Sequence, residues 1–333
     1  MELMQSQSIF FQHTITLNDL FSYWIFTKEK EGVKVRTIER YVCNFNNYIK
    51  DTIGYLDIKE FTRTTIVTFL DSLRTIKTKK HVGLSDASIN NIYVTLHSCF
   101  EFAIYHELLQ TNPAVYIKQC KPRQKVVEVL NKQERIVLER YLLEEFNPEN
   151  MGLYIMLYTG IRLGEMAALK WENVDLENRM IKIVETMNIT KNEDSGKWDY
   201  YIESPKTNSS IRNIPIPNHL VEIFKKISEF RISSPFVIAK MNGDIMQPRL
   251  YRARFASILN KLGIRQRKIH ALRHTFASQM IEQGMDMNTL SLILGHSAVE
   301  VTINIYVHSS IDRQRRLVNS IPFISEAYTD DDF

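Results

Sequence analysis

The sequence predicts a mainly helical protein of the α+β class, with a small antiparallel sheet in its second half. Gly (11) and Pro (9) are scarce among 333 residues, which favours long helices over tight turns. Apolar residues repeat at helical spacing through most of the chain, whereas three segments between 179 and 216 alternate between apolar and polar residues. A small sheet set among helices is an α+β arrangement.

The first third of the chain predicts only helices. Thr16 is a candidate cap for an apolar helical pattern that starts at Leu17, and further helices are expected over 37–49 and 64–73. A long helix opens after Ser85 and must stop before Asn112-Pro113, because the residue before proline is driven out of the α region. We therefore expect a small all-helical domain over residues 1–116, followed by a polar, basic, proline-containing linker over 117–127.

The remaining residues, 128–333, predict a larger mixed domain. Strands are expected over 179–185 and 198–203, joined by a polar turn, and over 211–216. Helices are expected on both sides of these strands, over 131–145, 152–158, from Arg162 onward, and over 217–230, 247–262, 271–283, 286–294, 298–305 and 309–321. A chain of this length is sufficient for two domains, each with its own core.

The composition excludes several classes of protein. Hydrophobic residues make up 44% and charged residues 24%, which is ordinary for globular proteins and argues against a disordered or fibrous chain. Three cysteines, Cys43, Cys99 and Cys120, are an odd number without a CxxC pair, so a disulfide framework or zinc ribbon is not expected. Such cysteine usage fits a reducing cytoplasm, and the lack of any long apolar run argues against a membrane protein.

Positive charge is clustered although the net charge is only +4. No acidic residue lies between Asp244 and Glu282, and eight cations fall within that stretch. A second basic run lies near the end of the first quarter. Such clusters can replace the counterions condensed on a nucleic acid, although each alone could be a solvated helix face. We predict DNA contacts from both, at Arg74, Lys77, Lys79, Lys80, Arg249, Arg252, Arg254, Arg267 and Lys268.

Five short motifs in the second domain carry candidate chemistry. In the segment TGIRLGE, Arg162 follows a glycine turn at the mouth of a helix, where amide dipoles and a guanidinium favour an anion. Lys206 lies between two strands, as the tip of a hairpin would. Gly295 ends a helix just before His296, and Tyr306 follows ten residues later. Each of these motifs alone has an ordinary structural explanation.

The fifth motif is HALRH, with His270 and His274 on one helix face and Arg273 between them. Two histidines at this spacing suggest a metal pair. However, Ala271 stands where the zinc-protease motif needs glutamate, and no third ligand follows at a suitable spacing. We therefore expect no metal site.

Taken in chain order, Arg, Lys, His-x-x-Arg, Gly-His and Tyr resemble the tyrosine recombinase (phage integrase) family across the whole second domain. The first domain is similar to the family's helical SAM-like core-binding domain in length and position. The resemblance implies a catalytic domain with a nucleophilic tyrosine and five phosphate-binding or proton-transferring residues around it, with two supporting side chains. These residues would be Tyr306, then Arg162, Lys206, His270, Arg273 and His296, with Glu165 and His274 in support.

This family assignment implies site-specific DNA cleavage and rejoining through a 3′-phosphotyrosyl intermediate and a Holliday junction. Two guanidiniums and an imidazole would stabilise the charge that develops on the phosphate oxygens. Lys206 would protonate the departing 5′ oxygen, and His270 would assist deprotonation of Tyr306. Because the covalent intermediate stores the phosphodiester bond, the scheme requires no ATP, metal or other cofactor.

The expected biological role is integration and excision of a phage or conjugative element. The expected partners are double-stranded DNA with paired core sites, three further copies of the chain in a tetrameric synapse, and an excisionase or host DNA-bending protein. The site of action would be the nucleoid in the cytoplasm. Residues 309–321 would dock on a neighbouring protomer or pack on their own domain. The alternatives are an Xer-like chromosome or plasmid dimer resolvase, a type IB topoisomerase, and a DNA-binding regulator without cleavage.

Overall fold

The computed structural model describes residues 14–76, 82–118, 127–191, 198–204, 211–230 and 233–295. The chain divides into two compact units, Met1–Lys125 and Val126–Phe333. Most of the predicted linker, 117–127, lies outside the described residues, so its boundaries remain a prediction. None of the described helices is long and apolar enough to cross a membrane.

The described part of the first unit is helical, as predicted. Its helices are α1 (Leu17–Lys30), α2 (Val35–Asn44), α3 (Arg63–Ser72) and α4 (Asp86–Tyr105), with one π-helical turn over Phe45–Ile49 and a 3₁₀ turn over Ile58–Glu60. Thr16 caps α1 through a capping box with Asp19, and Ser85 caps α4 by accepting from the amide of Ser88. The two caps satisfy amide groups that otherwise lack partners in the first turn of a helix.

The core of the first unit is formed by one stripe of each helix. Trp24 and Phe21 of α1 are buried, and the Phe21 ring stacks on Phe45 with ring centroids 3.7 Å apart. On α4, the predicted apolar stripe is buried at Ile89, Ile92, Leu96, Phe100 and Ala103. Removal of these side chains from water is the main force that holds the four helices together.

The second unit contains seven described α-helices, a 3₁₀ turn over Trp171–Asn173 and five described strands. The helices are α5 (Lys132–Glu144), α6 (Pro148–Thr159), α7 (Leu163–Ala168), α8 (Asn218–Glu229), α9 (Pro248–Lys261), α10 (His270–Glu282) and α11 (Met287–Leu294). The strands are β1 (Val174–Asp175), β2 (Met180–Ile183), β3 (Thr186–Lys191), β4 (Trp198–Glu203) and β5 (Arg212–Pro215). The predicted helices over 298–305 and 309–321 lie outside the described residues.

The strand pairing differs from two predictions: that 179–185 and 198–203 pair across a polar turn, and that 198–203 and 211–216 pair in a hairpin with Lys206 at its tip. Strand β2 pairs with β5, with Ile181 opposite Ile214, and β1 completes a three-stranded antiparallel sheet. Strand β4 pairs instead with β3, which was not predicted, in a separate two-stranded ribbon. Packing explains the separate ribbon: β3 buries Met187 and lies so close to α7 that a Cβ on Gly164 would lie 2.8 Å from the Met187 carbonyl oxygen.

Candidate active site

A tight turn between α6 and α7 opens the site. Gly160 ends α6 with φ +62°, in the left-handed region that favours glycine. Arg162 then precedes α7 in an extended conformation, and its amide donates to Oε2 of Glu165 at 2.9 Å. The carbonyl of Gly160 accepts from Arg273 on α10, and the side chain of Arg162 donates to the carbonyl of Gly295 after α11, so this turn contacts both elements.

The Arg162 guanidinium is held by two acceptors. Its Nη1 donates to Oε1 of Glu165 at 2.8 Å, and its Nη2 donates to the carbonyl oxygen of Gly295 at 2.6 Å. About a third of the side chain is exposed, at 33%. Because a guanidinium carries five N–H groups, this geometry leaves donors that an incoming anion can use.

The Arg273 guanidinium is buried, at 4% exposure, and projects from the first turn of α10. Its Nη1 donates to the carbonyl oxygen of Gly160 at 2.8 Å, and its Nη2 donates to that of Leu294 at 2.7 Å. The two predicted arginines are thus held on consecutive carbonyls at the C-terminus of α11, where the helix dipole favours positive charge.

A third arginine, which the sequence analysis missed, completes this arrangement. Arg212 on β5 is 5% exposed; its Nε donates to the carbonyl oxygen of Ile293 at 2.6 Å, and its Nη1 and Nη2 donate to Glu165 at 3.0 and 2.7 Å. Three consecutive carbonyls, here called the α11 carbonyl cluster (Ile293, Leu294 and Gly295), therefore each accept from a different arginine. The missed signal was strand alternation, which puts Arg212 on the same face as the buried Ile214.

Glu165 lies between two of these cations and is itself buried. Burial alone would raise the pKa of its carboxyl, but hydrogen bonds and positive charge from Arg212 and then Arg162 outweigh burial and lower the pKa to about 2. The carboxylate is therefore ionised at neutral pH. It fixes both guanidiniums while cancelling only part of their charge.

The two histidines of HALRH lie one helical turn apart, with ring centroids 6.4 Å apart. Partial loss of water and the positive charges of Arg273, Arg252, Arg162 and Lys268 lower the pKa of His270, which favours the neutral imidazole. Burial, followed by His270 and Arg273, lowers the pKa of His274 to about 4. A neutral imidazole at the surface of a cationic site can accept a proton.

Of the predicted catalytic set, the structure brings together Arg162, His270 and Arg273, with the supporting Glu165 and His274. Lys206, His296 and Tyr306 lie outside the described residues, so the complete set remains a prediction. Among the residues that the structure does describe, no group of three or more His, Cys, Asp or Glu side chains is placed to hold a metal ion.

The predicted DNA-contacting residues fall into three groups. Arg249, Arg252 and Lys268 are exposed. Others already hold intramolecular partners: Arg254 donates to Glu149, Asn147 and Asn150, Arg267 donates to Glu134 at 2.9 Å, and Arg74 donates to Asp86 at 2.8 Å. Lys77, Lys79 and Lys80 lie outside the described ranges. Arg74 is also exposed despite its ion pair, so among the described residues both it and the first group present cationic groups to solvent.

Two family models match the chain. The model described as "Phage integrase family" matches residues 148–313, and the one described as "Phage integrase, N-terminal SAM-like domain" matches residues 16–74. Together they span parts of both compact units. The arginine site lies within the first match.

Relatives and solved structures agree with these models. A XerC-like tyrosine recombinase of Caldanaerobacter subterraneus is 26% identical, over 88% of this chain and 79% of that protein. The ICEBs1 integrase of Bacillus subtilis is 24% identical, over 85% of this chain and 76% of that protein. A structure of the Tn1549 transposon integrase in complex with transposon right-end DNA is similar in fold, with a TM-score of 0.75, 24% identity, and coverage of 92% of this chain and 99% of that one.

The fold and the matched models define an enzyme that cleaves and joins DNA strands. The chain belongs to the phage integrase family of tyrosine recombinases, and its activity is site-specific recombination. This confirms the family, fold class and enzyme class that the motifs predicted.

Proposed function

We propose that this protein integrates and excises a mobile DNA element. The observation that carries the chemistry is the placement of the Arg162 and Arg273 guanidiniums on adjacent carbonyls of the α11 carbonyl cluster, with His270 one turn from Arg273. Donors fixed before the substrate arrives stabilise the charge that develops on a phosphate without reorganising during the reaction. Their target would be one phosphodiester of duplex DNA.

The reaction proceeds in two steps, cleavage and rejoining. The hydroxyl oxygen of Tyr306 attacks the phosphorus and forms a 3′-phosphotyrosyl bond while the bond from phosphorus to the 5′ oxygen breaks. The proton of the phenol passes to His270, and Lys206 gives a proton to the departing 5′ oxygen. In the second step another 5′-hydroxyl attacks the phosphorus while the bond from phosphorus to the tyrosine oxygen breaks; Lys206 takes the proton of that hydroxyl, and His270 returns a proton to the phenol. His296 would act as a further donor to the phosphate.

The names of relatives and of similar structures support a mobile-element role. They include the ICEBs1 integrase, the Tn916 transposase of Enterococcus faecalis, at 26% identity over 69% of this chain and 60% of that protein, and the Tn1549 integrase with transposon-end and circular-intermediate DNA. A lambda integrase structure with a TM-score of 0.65 is a tetramer bound to a Holliday junction. We propose the same tetrameric synapse on paired core sites here, acting on nucleoid DNA in the cytoplasm, with an excisionase or host DNA-bending protein setting the direction.

The alternative within the family is a dimer resolvase. It is favoured by the XerC-like relative and by the XerC of Listeria monocytogenes, which is 24% identical over 79% of this chain and 85% of that protein. The two roles differ in substrate. A resolvase acts on a chromosomal or plasmid site, whereas an element's integrase acts on sites at the ends of the element that encodes it.

Nicked suicide duplexes that tile the DNA on both sides of the coding region test the proposal. We expect a covalent protein–DNA adduct on a denaturing gel with one duplex at each element end, absent in Tyr306→Phe and retained in the control Tyr141→Phe. An adduct only with a chromosomal or plasmid palindrome would support the resolvase. Adducts with every duplex would indicate a topoisomerase, and none at all would leave only a DNA-binding regulator.

A further inference from the structure

We infer that Arg212 is a positioning residue for strand cleavage. It keeps Glu165 from neutralising the charge of Arg162, and it fixes the position of the end of α11 relative to Arg162 and Arg273. This inference rests on the proposed role of Arg162 and Arg273. Arg212 does not itself need to touch DNA, since its side chain is 5% exposed and it donates to Glu165 and Ile293.

The anchoring follows from the geometry of the guanidinium fork. The Nε of Arg212 holds the carbonyl of Ile293, while both Nη atoms hold Glu165, which in turn holds the amide and side chain of Arg162. Arg212 thus links strand β5, the start of α7 and the end of α11 through one rigid group. A methyl group on Gly295 would lie 2.9 Å from Cδ of Arg212, so the chain passes directly over this side chain.

Arg212 also preserves the positive charge that Arg162 can offer to a phosphate. With Arg212 present, one carboxylate is shared by two cations, which leaves a net positive charge on the trio. Without Arg212, the carboxylate of Glu165 would pair with Arg162 alone, and that pair would be neutral. Buried charges interact strongly because little water screens them, so this loss would weaken the attraction of Arg162 for the phosphate.

The charged groups around Glu165 are few among the described residues. Arg162 and Arg212 contact it directly. On β2 and just after it, Lys182 and Glu185 line the same small cavity, and Glu185 is already paired with Lys170 at 2.9 Å. Arg212 therefore provides the contact whose removal most raises the affinity of Glu165 for a proton.

The test measures single-turnover adduct formation on the suicide duplex that wild-type protein cleaves. Arg212→Met should slow adduct formation about 100-fold at neutral pH, the effect expected when a reacting group shifts by about 1 Å. As the pH falls, Glu165 becomes protonated in this variant but not in the wild type, so the ratio of variant to wild-type rate should rise. For the double variant Glu165→Gln/Arg212→Met, the rate of adduct formation relative to wild type should not change with pH.

Two further variants keep the inference falsifiable. Arg212→Lys retains a cation beside Glu165 but cannot hold Ile293 as well, so its rate should be intermediate and its ratio to wild type independent of pH. Arg135→Met breaks a half-buried ion pair with Glu139 on α5, 3.3 Å long, and serves as the control for a general loss of stability. Its rate per folded protein should equal that of the wild type.

The outcomes separate this inference from the proposed function. If wild-type protein cleaves DNA but Arg212→Met cleaves as fast as Arg135→Met, Arg212 has no positioning role. If Arg212→Met is slow but its rate relative to wild type stays constant with pH, Arg212 does not keep Glu165 from neutralising Arg162. If wild-type protein forms no Tyr306-dependent adduct with any duplex, the proposed function itself is wrong.

Discussion

Gly160 is where a single methyl group should disturb the whole arginine arrangement. It has φ +62°, and a Cβ there would lie 2.5 Å from Cδ1 of Phe276 and 2.9 Å from Cδ2 of Leu294. Both neighbours are buried, Phe276 on α10 and Leu294 on α11, so neither can swing into solvent. The carbonyl of Gly160 also accepts from Arg273. Gly160→Ala must therefore move the helices that carry Arg273 and the α11 carbonyl cluster.

The structure offers a matched control that isolates the steric part. Gly263 has nearly the same backbone, φ +64°, but nothing within 4 Å of an added Cβ. Gly263→Ala should cost only the left-handed strain, about 1–2 kcal/mol. Gly160→Ala should cost that strain plus overpacking of about 1–3 kcal/mol. At about 2–4 °C per kcal/mol for a domain of this size, Gly160→Ala should melt about 2–12 °C below Gly263→Ala.

Thermal unfolding by circular dichroism measures the loss of stability. Suicide-duplex cleavage below both melting temperatures measures the effect on the active site. Gly160→Ala should form adduct about 100-fold more slowly because Arg273 loses its position, while Gly263→Ala should match the wild type. Equal melting temperatures for the two variants would refute the steric argument. A destabilised Gly160→Ala that cleaves DNA at the wild-type rate would refute the link between this turn and the site.

Three further perturbations test the site's charges. Glu165→Gln leaves two adjacent guanidiniums without their buried counter-charge, so the free energy of unfolding measured in urea should fall by about 3–5 kcal/mol. An unchanged midpoint of the urea transition would contradict the assigned ion pairs. The lowered pKa of His274, about 4 against its usual 6.5, means that the unfolded chain takes up the proton first. Stability should therefore fall as pH drops from about 6.5 towards 4, by at most about 1.4 kcal/mol per pH unit, and His274→Gln should flatten that slope; an equal slope in both proteins would contradict the shift. Arg273→Lys keeps the charge but cannot hold two carbonyls as a fork, so adduct formation should slow by about 10²–10³, whereas wild-type rates would show that charge alone suffices.

Local patterns in the sequence were sufficient for most elements. The caps at Thr16 and Ser85 and the apolar stripe of α4 depend on residues within a few positions of one another, and all are present in the structure. Strand pairing was less accessible. The alternating pattern of β4 fits pairing with either β2 or β3. In the structure β4 pairs with β3, which packs against α7 at Gly164.

For the candidate site too, local motifs could be identified from the sequence and long-range contacts could not. Arg162, His270 and Arg273 were identified because they stand in short motifs with a fixed order. Arg212 was missed because its importance comes from partners far along the chain, Glu165 at a separation of 47 residues and Ile293 at 81. The ion-paired Arg254 and Arg267 were likewise indistinguishable by sequence from the exposed Arg252, although their partners are 104 or more residues away.

The sequence by itself determined the class of fold, the family and the kinds of side chain that the chemistry uses, because periodicity, capping and motif order are local properties. Only the tertiary structure decided which charges meet. It brought the end of α11 against guanidiniums from three different elements and buried a carboxylate between two of them. The physical reason is that the strength and protonation of these groups depend on burial and on distances of about 3 Å, which are set by long-range packing.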